Sequence, residues 1–93
     1  SPVEYVDTTP DTLRADYRAD YVLMVAEVFQ AEQDMDMAAR RLAILGSDPP
    51  AEIAAQALAF VSQVEHVEAD LTLLQNLVTA LQAWAPLPGG GAP

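Results

Sequence analysis

The chain has 93 residues, with fourteen Asp and Glu against four cationic residues, all of them Arg, for a formal net charge of −10. That length suits one domain near the lower limit at which a hydrophobic core holds unaided, and with no cysteine present neither a disulfide nor a thiolate metal site can assist. The charge has the wrong sign for a phosphate backbone or an anionic membrane, and no apolar run approaches the ~20 residues that cross a bilayer, so neither nucleic acid binding nor direct membrane insertion is expected. Such an excess of anions serves either as a self-repelling soluble surface or as a negative face for a basic partner.

In chain order, residues 1–9 hold Val3, Tyr5 and Val6 among Pro, Glu and Asp, and read as an extended N-terminal segment. Thr9 followed by Pro10 marks a helix start, because a threonine hydroxyl accepts from an orphan amide and proline at the first helical position gives up no hydrogen bond. A first helix is predicted over about 10–31. Leu13, Tyr17, Tyr21, Met24 and Val28 form its apolar stripe, widened by Val22, Val25, Ala26 and Phe29 towards an end that is apolar nearly all round and calls for more than one neighbour. Arg14 and Arg18, interleaved with Asp11, Asp16 and Asp20, read as a solvated face with weak ion pairs.

Asp34 caps a second helix, predicted over 35–45, whose Met35, Ala38, Leu42 and Leu45 share a face; Gly46 stops it in the left-handed conformation. Asp48 and the prolines after it restart the chain as a third helix over 49–64, with Ile53, Ala57, Phe60, Val61 and Val64 as its stripe. From there the spacing permits either one continuous helix to Trp84 or a break near His66. The break is favoured, since the third stripe does not run smoothly into Leu71, Leu74, Leu77, Val78 and Leu81, and a small core gains from folding back. The fourth helix is predicted over 68–84, and Pro86 prevents its continuation. Residues 86–93 read as a Pro/Gly-rich linker or tail, so the domain proper spans 10–85 and both ends look like those of a segment of a longer protein.

The fold class is therefore all-α: a four-helix antiparallel bundle made of two helical hairpins. Over residues 17–50 the first hairpin resembles a tetratricopeptide repeat. The small residues at which that family's two helices touch fall on Ala26 and Ala38, its aromatic position on Phe29, a later large position on Leu42 and its closing proline on Pro50. Gln33 stands where the family has a turn glycine, Met35 replaces an aromatic and Leu45 a small residue. The resemblance implies helix–helix contact through Ala26, Phe29, Ala38 and Leu42, and a role in protein interaction. The chain is also similar in outline to helical domains of unassigned function tethered to bacterial membranes, which implies an extracytoplasmic location through a segment outside these residues.

Chemistry is harder to place. The carboxylates of Glu32, Asp34 and Asp36 alternate as a calcium loop begins, but Ala39 stands at its sixth-position glycine and Leu45 at its twelfth-position glutamate, so no metal is expected. His66, the only histidine, has no His or Cys partner and no Gly-rich elbow, and reads as a turn residue. No catalytic or cofactor-binding residue is assigned, and no cofactor is expected. Leu13, Tyr17, Tyr21 and Trp84 form the expected interaction surface, because aromatic anchors dominate protein interfaces. The leading expectation is a non-catalytic protein–protein interaction or assembly module. A homo-oligomerising or spacer domain is the first alternative, and an enzyme of unknown class is the second.

Overall fold

The computed structural model describes residues 10–64 and 67–84, with side-chain surroundings from residue 14 onward. Four helices follow one another: α1, Pro10–Glu32; α2, Met35–Leu42, prolonged by a 3-10 turn over Ala43–Leu45; α3, Pro50–Val64; and α4, Glu68–Trp84. They pack against one another as an all-α bundle, with no strand among the described residues. The N-terminal segment 1–9, the tail 86–93, His66 and the Leu13 side chain lie outside what is described.

The helix ends show why the chain turns where it does. At the end of α1, Gln33 takes φ 57, and its amide donates to the Phe29 carbonyl at 2.7 Å, closing the helix through a left-handed residue. The Gln33 side chain adds to this, with Nε2 donating to the carbonyls of Phe29 and Gln30 at 3.2 Å each. Asp34 then caps α2, its carboxylate accepting from the Met37 amide at 3.1 Å. At the far end of α2 the expected glycine stop takes another form. The α-helix ends at Leu42 and tightens into the 3-10 turn, while Gly46 lies at φ 162, an extended conformation open to any residue. Opening α3, the carbonyl that accepts the first helical bonds, from Glu52 and Ile53, belongs to Pro49, one residue later than the Asp48 cap expected from sequence. Pro50 occupies the first helical position, where its missing N–H is harmless. Between α3 and α4 the chain breaks after Val64, and the Val67 carbonyl accepts from Leu71 at 3.0 Å to start α4.

α1 is the axis of the bundle, touching α2, α3 and α4, while α3 and α4 share the largest interface. The core encloses Val22 and Val25 of α1, Leu42 of α2, Ile53 of α3, and Leu74, Leu77 and Leu81 of α4, with no buried polar or charged side chain among the described residues.

On α1 the packed face is Ala19, Val22, Val25 and Ala26, with Phe29 half-buried, and not the stripe through Tyr17, Tyr21 and Met24. The physical reason is close approach. The packed face carries Ala19 and Ala26, two turns apart, which let two neighbouring helices come near the α1 backbone; tyrosines there would hold them off. The first half of α1 has α3 beside it, with Ala15, Ala19 and Val22 facing Ile53, Ala57 and Phe60 across a narrow cleft.

A candidate interaction face on the first hairpin

Three polar contacts fix how α1 and α2 lie together. The Tyr21 hydroxyl donates to the Arg41 carbonyl at 3.1 Å, Arg18 Nη1 donates to the Leu45 carbonyl at 2.7 Å, and Arg41 Nη1 lies 3.6 Å from Glu32 Oε1. The first two add side-chain donors to carbonyls at the end of α2 and of the 3-10 turn that prolongs it. A charge-assisted bond such as that of Arg18 is worth ~1.5–3 kcal/mol. This use of Arg18 corrects the solvated-face reading of that residue, which is half-buried. Arg40 by contrast makes an exposed i,i+4 pair with Asp36 at 3.1 Å, worth a few tenths of a kcal/mol.

These contacts define a seam, and helical geometry says what borders it. Residues three and four apart lie on one side of a helix. On α1, Tyr17, Met24 and Val28 stand at −4, +3 and +7 from Tyr21; on α2, Met37 and Ile44 stand at −4 and +3 from Arg41. Both sets therefore flank the seam, and both face away from the core. Tyr17 is 73% exposed, Ile44 75%, Met24 42% and Met37 36%, with Val28 half-buried beside them. The register set by Tyr21–Arg41 and Arg18–Leu45 puts Tyr17 level with Ile44 and Met24 level with Met37. The result is an apolar strip over two antiparallel helices, running ~16 Å from Tyr17 to Val28 at ~1.5 Å per residue.

The residues singled out from sequence distribute unevenly over this face. Tyr17 is on it. Tyr21 is half-buried and anchors the seam beneath it. Trp84 is 46% exposed, but it ends α4 and so stands off the α1–α2 seam. Ala26 and Ala38 are each 1% exposed, Leu42 is fully enclosed and Phe29 packs against them, so these four sit in one core cluster. The sequence pattern favoured core filling for Met24 and Met37 alike, which the structure leaves partly exposed, and Ile44 was missed altogether. The available signal was the position of Ile44, off the Ala38–Leu42 face.

Other concavities offer less. The cleft between α1 and α3 holds about 190 Å³, below the ~300–1,000 Å³ of small-molecule sites. A depression of about 580 Å³ along α3 and α4 is open to solvent. Two of its polar side chains are engaged locally: Ser62 donates to the Ala59 carbonyl and Gln75 to the Thr79 hydroxyl. Neither concavity gathers convergent chemistry, and among the described residues no three His, Asp or Glu side chains are placed to hold a metal ion. No described helix is long and apolar enough to cross a membrane. Compared with models of known protein families, with curated proteins and with solved structures, the chain matches none.

Proposed function

We propose that this chain is a non-catalytic protein–protein interaction module, and that it binds through the outer face of the first hairpin. The observation that carries the reading is the exposure of Tyr17 and Ile44 at the same level on neighbouring helices, with Met24 and Met37 continuing the strip. Scattered exposed apolar residues mean little, but a contiguous strip with charged residues at its edge is typical of interaction sites. Tyrosine and methionine suit the role, the first as a rigid amphipathic anchor and the second as an adaptable contact. On the same proposal the first hairpin is a solitary tetratricopeptide-like unit. The burial of Ala26 and Ala38 supports this, as does the positive φ of Gln33 at that family's turn-glycine position.

The test is site-specific crosslinking. A photoreactive residue at position 17, in the protein expressed in its own cells, is expected to give a discrete adduct that Ile44→Asp abolishes. The same residue at position 52, exposed on α3, serves as the control. If positions 17 and 52 crosslink alike, or if Ile44→Asp changes nothing, the face is not a binding site.

A further inference from the structure

The occupant of this face can be narrowed by its charge surroundings, and we infer that it is an amphipathic helix whose apolar stripe is flanked by Lys and Arg. The inference rests on the interaction reading above. Two helices lying antiparallel leave a shallow trough along their seam, and a third helix fits such a trough with anchors at i, i+3, i+4 and i+7. Tyr17 and Met24 are themselves one heptad apart, as are Met37 and Ile44, so a straight helical stripe matches both rows.

The acids follow the same spacing. Asp20 and Glu27, both exposed, stand three residues after Tyr17 and Met24 and form a second row alongside them on α1. On the α2 side Asp36 is engaged by Arg40, and Arg41 by Glu32. Arg18 is held at the Leu45 carbonyl below the seam. Among the described residues the open charges beside the apolar strip are therefore Asp16, Asp20 and Glu27 on its outer flank, with Arg14 at its Tyr17 end on the seam side, and complementarity calls for a partner with cations along the acidic flank. A second copy of this chain answers the description poorly: it would bring a net charge of −10 against −10, and three of its four arginines are engaged internally.

The experiment uses a designed peptide of about 14 residues, long enough at ~1.5 Å per residue to cover the strip, with Leu on one face and Lys on the other. A Leu/Glu peptide of the same pattern is its counterpart. Fluorescence anisotropy follows binding to the full chain and to three double variants. These are Tyr17→Ser with Ile44→Ser on the face, Asp20→Asn with Glu27→Gln beside it, and Glu68→Gln with Asp70→Asn at the start of α4. The Leu/Lys peptide is expected to bind and the Leu/Glu peptide not. The face variant should weaken binding about tenfold or more, as loss of hot-spot anchors does. The adjacent acids should cost about threefold to tenfold and the remote pair less than about twofold, with each variant's circular dichroism unchanged.

Equal losses from the adjacent and remote pairs would show only the diffuse attraction of an acidic protein, and overturn the inference. So would equal binding of the Leu/Glu peptide, or a dimer of the free chain that Ile44→Ser dissociates in sedimentation. Each of those results leaves the interaction reading standing if the position 17 adduct forms. Absence of that adduct removes the reading itself, whatever the peptides do.

Discussion

Gln33 carries the sharpest energetic prediction. It is the one non-glycine among the described residues with positive φ, at 57°, and it closes α1. A side chain with a Cβ in that region costs ~1–2 kcal/mol through its clash with the following carbonyl oxygen. Glycine removes that cost but adds ~0.4–1 kcal/mol of unfolded-state entropy. It also gives up the two exposed Nε2 bonds to Phe29 and Gln30, each 3.2 Å long and worth ~0.5 kcal/mol at most. Gln33→Gly should therefore leave stability within ~1 kcal/mol of the parent. Gln33→Ala keeps the clash and loses the bonds, so it should be less stable than the glycine variant by ~1 kcal/mol. In a domain of this size that corresponds to ~4–8 °C in melting temperature. Gln33→Val, β-branched in a region that such residues avoid, should be worse again. Urea titration followed by circular dichroism at the helix band measures the series, with unchanged m-values showing that stability alone has moved. An alanine variant as stable as the glycine variant would refute the reasoning, because it would mean that position 33 is not left-handed in solution.

The remaining predictions concern packing and the seam, read by the same titration. Gly46→Ala is expected to be neutral within ~0.5 kcal/mol, because its backbone is extended and an added Cβ meets nothing within 4 Å. Arg18→Met should cost ~1.5–3 kcal/mol by leaving the Leu45 carbonyl without its charged donor, and Tyr21→Phe ~0.5–1.5 kcal/mol by removing the bond to Arg41; losses under ~0.3 kcal/mol for both would mean that the seam is not held this way. Leu42→Ala, at a fully enclosed site, should cost ~2–5 kcal/mol. Ala38→Leu should cost ~1–3 kcal/mol by overfilling the α1–α2 contact, and a neutral result there would show slack in the core where none is expected.

How much of this was legible in the sequence depended on how unevenly each helix distributes its apolar residues. In α4, Leu74, Leu77, Val78 and Leu81 stand out against Gln75, Asn76 and Thr79, so the buried face could be read directly. The Asp34 cap was readable from a local signal that the structure uses, whereas the break between α3 and α4 carried no Gly or Pro and rested on the mismatch of the two apolar stripes. In α1 the large side chains misled. Met24 looks like a core residue by hydrophobicity, whereas the packed face includes Ala19 and Ala26, small residues whose value lies in the approach they permit. The glycine rule misled in a related way. Gly46 was the natural candidate for a left-handed stop, yet the chain puts positive φ on Gln33 and leaves Gly46 extended. The role of Arg18 was concealed because a charge among charges reads as solvated, although its position four residues before Val22 sets it on the edge of the packed face.

The shortness of α2 links the fold to the proposed binding face. A helix of eight residues is far below the ~12–15 needed for appreciable stability in isolation. It is therefore held by its neighbours: by Ala38, Ala39 and Leu42 on the core side, and by Arg18, Tyr21 and Glu32 along the seam. On its outer side Met37 is only partly covered and Ile44 is largely open to solvent. α4 by contrast is seventeen residues long, and α3 packs along it. Amide hydrogen exchange should accordingly be faster in α2 than in the enclosed turn around Leu74 to Leu81, since exchange reports the free energy of local opening. A helix laid over the seam would add contacts to the unsupported side of α2 and slow its exchange, while leaving α4 nearly unchanged. If the free chain protected α2 as strongly as α4, the first hairpin would be rigid without help, and a partner would gain its contacts on α2 without stabilising it.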